Sequence, residues 1–175
     1  AKVARAELDR AAFLLADYQT KAPAPGTMIM YFGGGGRMEF VKVLNGWVGR
    51  YEVTNGEYRR FKPDHNSGNY EGHGLNGDRQ PAVQVDYKDA VAFASWLNRA
   101  CSSQIPAGYT VRLPSGTDWL KFAQCGDIRQ YPWGNSWPPK YGNYHGEGDA
   151  GNWEKIAGYS DGFPVTCAVE QSGRN

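Results

Sequence analysis

The stretch Gly49–Phe61, GRYEVTNGEYRRF, decides the fold, because the chain changes from extended to helical within it. Trp47–Val53 reads as a strand of alternating and aromatic residues. Thr54 then offers a short hydroxyl to the free N–H groups of a helix start. Glu57, three residues later, completes a capping box, so the pattern predicts a short helix over Asn55–Phe61.

Working upstream, Asn45-Gly46 is a strong hairpin turn signal, and Met38–Leu44 is the expected partner strand. Thr27–Phe32 is a further short strand, joined through the tetraglycine Gly33–Gly36. A phosphate-binding loop would need Lys-Ser/Thr and a helix after the glycines. Arg37-Met38-Glu39 supplies neither, which leaves a flexible hairpin loop. Residues 1–20 are rich in helix formers. Ala4, Leu8, Ala11, Leu15 and Tyr18 form one apolar stripe at helical spacing before Pro23 and Pro25. That predicted helix either folds back on its own domain or docks outside it, which divides the chain into 1–25 and 26–175.

Downstream, residues 62–80 are polar and read as a long surface loop, with His65 and His73 as solvated side chains rather than metal ligands. Pro81–Val85 is expected as a short strand. Asp86 caps a helix over Tyr87–Ala100, with Val91, Ala94, Trp96 and Leu97 among its buried residues. Val111–Pro114 leads into another capped helix, where Ser115 and Asp118 repeat the box and Trp119, Phe122 and Ala123 face inward. From Gly126 onward the chain reads as Gly-, Trp- and Tyr-rich loop.

The bulk numbers agree. At 175 residues the chain suits one domain with a real core. A net charge of +1 creates no field for nucleic acid or an anionic membrane, and no apolar run is long enough to span a bilayer. With 23 Gly, 10 Pro and 24 aromatics (6 Trp, 11 Tyr, 7 Phe), the composition points to a loop-rich fold pinned by aromatics. It excludes a helical bundle and a doubly wound sheet. Cys101, Cys125 and Cys167 lack zinc-like spacing and read as buried or loop thiols, or as one structural disulfide plus an odd thiol.

Four ordered segments together resemble the formylglycine-generating-enzyme, or sulfatase-modifying-factor, family. They are Gly49–Phe61, QPAVQVDYKDAVAFASWLN (Gln80–Asn98), RLPSGTDWLKFAQCGD (Arg112–Asp127) and YPWGNSW (Tyr131–Trp137). The resemblance implies an α+β fold of the C-type-lectin-like kind, with small antiparallel sheets, a few helices and high loop content. It also implies a structural calcium site in the late loops. Asn143 and Asp161 match the side-chain oxygens of that site, Tyr144 and Phe163 its carbonyls, and Glu147, Asp149 and Glu154 lie in the same stretch.

Enzymes of the family use a C-terminal cysteine pair that binds copper and activates oxygen. Its flanking elements do not occur before Asn175, and none of the three cysteines matches the pair. The non-haem iron pattern of a related branch is not formed by His65, His73 and His145. Either the rest of the domain lies on further polypeptide, which is the expectation, or the chain is complete and diverged. The expected function is a non-catalytic, calcium-stabilised recognition or scaffold module, outside the cytoplasm. Its partner would be a protein or the rest of its own domain, with the N-terminal helix expected to serve an oligomer or complex. The alternative is a copper-dependent oxidoreductase acting on a cysteine of a sulfatase-like protein.

Overall fold

A computed structural model describes residues 15–17, 26–43, 46–123 and 128–171. Ten short elements run in the order β1 (Leu15–Asp17), β2 (Thr27–Phe32), β3 (Gly36–Val43), β4 (Gly46–Gly49), α1 (Asn55–Tyr58), β5 (Asn69–Tyr70), β6 (His73–Gly74), α2 (Tyr87–Ala100), β7 (Thr110–Arg112) and α3 (Gly116–Ala123). The result is a mixed α/β chain with small antiparallel sheets and few helices. The main sheet has the order β2-β3-β4-β1-β7, every pairing antiparallel, and β5-β6 form a separate two-stranded ladder.

Alternation along β2 and β3 turns Met30, Phe32, Met38 and Phe40 to one face, where all four are buried. α2 covers that face with Phe93, Ala94 and Leu97, and α1 adds Tyr58. Aromatic edges lock the layers: Phe32 meets Trp96 at 5.4 Å and Tyr58 meets Phe93 at 5.3 Å between ring centroids. The glycine hairpin between β2 and β3 has a packing reason, since a side chain at Gly36 would run into the Phe32 ring. Asn98 then pins α2 to the sheet. Its amide donates to Val111 O at 2.7 Å and accepts from Val111 N at 2.8 Å.

Several sequence expectations change. Leu15–Asp17 is a strand paired with β4 and β7, so a helix over 1–20 does not run through those residues; the rest of that stretch lies outside the described residues, as do Leu44 and Asn45 of the expected turn. The strand Trp47–Val53 ends at Gly49. The capping box at Thr54 and Glu57 is formed, but α1 stops at Tyr58. Pro81–Val85 makes only a bridge from Pro81 to Thr54, because Gln84 sits in the left-handed region at φ 61° and breaks the extension. On α2, Val91 is solvent-facing and Ala90 and Phe93 take its place in the core. Trp119, Phe122 and Ala123 of α3 are only half-buried.

The loop at 62–80 also differs from expectation. It is folded inward around Asn55, which is fully buried. The Asn55 amide nitrogen faces the carbonyls of Leu75 (2.9 Å), Gly77 (3.0 Å), Gln80 (3.2 Å) and Pro81 (3.4 Å). Its oxygen accepts from the Ser67 hydroxyl at 2.5 Å, and Ser67 in turn accepts from Val83 N at 3.0 Å. With that hydroxyl proton used, the His65 ring 3.1 Å away must be the donor to Ser67, so burial fixes its tautomer. His65 is thus a buried structural group, not a solvated one. Gly56 follows Asn55 because a Cβ there would lie 3.0 Å from Asp78 O, whose bond to Gly56 N closes the same loop.

Removing the Asn55 amide strands a buried hydroxyl and several carbonyls. Asn55→Ala is expected to cost about 3 kcal/mol in urea unfolding. An unchanged midpoint would remove the knot from the stability of the fold. Asp118 gives a second test. Burial alone would raise its pKa, but hydrogen bonds from Ser115 and Arg112, with the Arg112 charge, pull it down to about 2. A depressed carboxyl contributes stability above its unfolded pKa of about 4 and loses it as pH falls through the folded value. Asp118→Asn is expected to cost about 1 kcal/mol at neutral pH, solvent screening part of the effect at this partly exposed position, and progressively less as pH falls through about 2, read from melts across that window.

Candidate functional site

The loop organised by Asn55 forms one wall of a cleft, and the late loop 143–166 forms the other. The β5–β6 hairpin turns through Glu71 and Gly72, both at positive φ, and its tip reaches across: Gly151 N donates to Glu71 Oε2 at 3.0 Å. Behind it, Gln80 Nε2 donates to Thr166 O at 2.7 Å and Val169 N to Arg79 O at 3.0 Å. Arg79 meets Glu170 with two nitrogens, at 3.2 and 2.6 Å. The cleft held between these ties has a volume of about 300 Å³. Leu75 and Val83 lie at its base, Tyr70, Tyr144 and Trp153 in its walls, and no Lys or Arg lines it. That is the lower end of the size range of small-molecule sites.

At the back of the late loop, Asn143 and Asp161 come together across 18 residues. Asn143 Nδ2 donates to Asp161 Oδ2 at 2.7 Å and to Val165 O at 3.2 Å, and Phe163 N donates to Asp161 Oδ1 at 2.9 Å. Burial pushes the Asp161 carboxyl up, the Phe163 and Asn143 hydrogen bonds oppose that, and the like charge of Asp149 adds to it. Among the described residues no basic side chain forms an ion pair with Asp161. Asp149 accepts from Gly146 N at 2.9 Å and stands 3.8 Å from His145 Nδ1. His145 Nε2 is buried without a hydrogen-bond partner among the described residues. Of the other acids in the stretch, Glu147 accepts from Gly158 N at 2.9 Å and Glu154 is exposed. Tyr144 contributes its ring, 4.9 Å from Trp133.

A family model described as "Sulfatase-modifying factor enzyme 1-like domain" matches residues 25–175. The chain belongs to that family. It is similar to the formylglycine-generating enzyme of Thermomonospora curvata, with 36% identity over 61 residues. That match covers 34% of this chain and 16% of the relative, so the chain spans about a sixth of the length of the curated relative it matches. No solved structure matches.

Within this sulfatase-modifying-factor domain the sequence motifs have separate jobs. Thr54-Asn55-Gly56-Glu57 starts α1 and ties down the first cleft wall. Gln80 and Gln84 of the second motif belong to the cleft region, which a strand over Pro81–Val85 does not anticipate. Tyr131 and Trp133 of the last motif stack at 5.0 Å with planes 4° apart, and Trp137 beside them is 57% exposed.

The described thiols are placed away from any such surface. Cys101 lies in the core under β2, and Cys167 lies buried behind the cleft, neither disulfide-bonded. Burial pushes both thiols up, away from the thiolate form that a reactive cysteine needs. Cys125 lies outside the described residues. Among the described residues no three His, Cys, Asp or Glu side chains converge. Ser67 and His65 are adjacent, yet Ser67 is 1% exposed and spends its proton on Asn55, so the pair is part of the knot and not a nucleophile with its base.

Proposed function

We propose that this region is a calcium-braced, non-catalytic recognition or scaffold module of C-type-lectin-like architecture, working within a larger protein or assembly. The observation that carries the reading is the Asp161 carboxylate. It is half-buried, close to a second acid and ion-paired with no basic side chain among the described residues, with an amide nitrogen standing where two oxygens converge. A half-turn of the Asn143 amide, an ambiguity inherent to such groups, would replace that nitrogen with oxygen and leave three oxygens facing one another. A cation seated between them would stabilise that arrangement, and an oxygen-only donor set with a single carboxylate suits calcium. Asn143 and Asp161 would hold it through side chains, and Tyr144 and Phe163 through carbonyls. The bound ion would supply a fixed positive charge that locks the late loop.

Recognition draws on what that loop and the segment before it present. Trp137 and Trp153 are 57% and 56% exposed, large apolar surfaces of a kind that marks contact sites. Few-carboxylate loop sites of this sort operate at about 10⁻⁴–10⁻³ M calcium, which suits a setting outside the cytoplasm. The competing reading, a copper-dependent oxidoreductase acting on a cysteine of a sulfatase-like protein, is favoured by the similarity to the formylglycine-generating enzyme of Thermomonospora curvata.

Two measurements decide. Saturating calcium should raise the melting temperature by about 5–10 °C over chelator-treated protein, and Asp161→Ala should abolish the difference. A wild-type melt that ignores chelator would remove calcium from the proposal. Separately, the full-length protein loaded with copper(I) and given oxygen and a cysteine peptide is expected to leave the peptide unchanged by mass spectrometry. Conversion of the cysteine to formylglycine would overturn the non-catalytic reading in favour of the oxidoreductase.

A further inference from the structure

Among the described residues β2 is the end strand of the main sheet, and its outer edge is closed at one position by a side chain. In the antiparallel ladder with β3, alternate residues turn their backbone groups away from the partner, here Thr27, Ile29 and Tyr31. At Tyr31 both groups are taken by one residue. Tyr31 N donates to Gln104 Oε1 at 2.8 Å, and Gln104 Nε2 donates to Tyr31 O at 2.7 Å. The primary amide reproduces the pair of hydrogen bonds that another strand would make there. The Cys101 thiol donates weakly to the same carbonyl at 3.6 Å. Gln104 is held in place by the turn that closes α2, through Gln104 N to Cys101 O at 2.8 Å.

We propose that Gln104 is an edge guard, and that without it β2 pairs with β2 of a second copy of this chain. The segment itself gives the reason. TMIMYF, Thr27–Phe32, is uncharged, lacks Pro and Gly, and consists largely of strand-forming or apolar residues, the composition that favours strand addition. Charge, proline and a bulge, the common protections of an edge, are all absent from it. Its Tyr31 side chain is 57% exposed. Two such edges are self-complementary when run antiparallel about a two-fold axis, with Ile29 near the centre, so the fitting partner is the same strand in another copy.

The test uses the whole chain, with sedimentation velocity over two decades of concentration and amide exchange along β2. Wild type is expected to keep one mass throughout. Gln104→Ala should rise toward twice that mass, with the Ile29 and Tyr31 amides gaining protection as it does. Gln104→Met, which keeps the length and adds no charge but neither donates to Tyr31 O nor replaces the amide oxygen, should associate as well. Adding Ile29→Lys to either variant should restore the wild-type mass. A Gln104→Ala protein with native near-ultraviolet dichroism and unchanged mass would overturn the proposal. So would association that survives Ile29→Lys. If Gln104→Ala does not fold, Gln104→Met is decisive on the same terms, and its failure to associate overturns the guard.

Discussion

The arrangement of this chain depends on one buried amide. Asn55 follows the cap of a four-residue helix, and its single side chain organises a loop of nearly twenty residues by facing carbonyls from Leu75 to Pro81 while accepting from Ser67. A loop of that length has many polar backbone groups and little regular structure to satisfy them. Turning them toward one amide lets Leu75 and Val83 be buried without building a sheet. The cost of ordering the loop is offset only while every partner is present, which is why a half-satisfied version would be worse than none.

The elements with short-range causes were legible in the sequence. Thr54 with Glu57, Asp86 before α2, and Ser115 with Asp118 are caps whose partners lie three residues away, and each forms as the letters indicate. The expectations that changed depended on contacts far along the chain. His65 looks polar and solvated until Ser67 and Asn55 are brought to it. Pro81–Val85 has strand-forming letters, yet Gln84 adopts a left-handed backbone where the chain turns into the cleft region. Val91 faces water because Ala90 and Phe93, three residues apart on one face of the helix, are the ones turned to the core.

The candidate site was legible in part for the same reason. Asn143 and Asp161 were paired from motif positions, and they do meet at 2.7 Å. Nothing local in the sequence signals that Val165 O joins them or that Asp149 stands close enough to raise the Asp161 carboxyl. Phe163 joins Asp161 by its backbone N–H, which carries no side-chain signature at all. The cleft was not legible, since its two walls lie some seventy residues apart and are joined by the Glu71–Gly151 and Gln80–Thr166 bonds.

Those bonds set an order of dependence. Beyond Gly126 the described chain contains no helix or strand element, so its placement rests on ties to earlier structure and on its own turns. The ties come from Glu71, Arg79 and Gln80, all within the loop that Asn55 holds. The late loop is therefore positioned at second hand: α1 fixes Asn55, Asn55 fixes the first wall, and the first wall fixes the second. Each step adds slack, because the ties are single hydrogen bonds and one ion pair that is about half exposed and worth little alone. Keeping the Asp161 carboxylate half-buried beside a second acid costs such a loop desolvation and like-charge repulsion. An ion gathered between Asn143 and Asp161 would supply the restraint that the backbone lacks, and this is the physical case for a brace at that point.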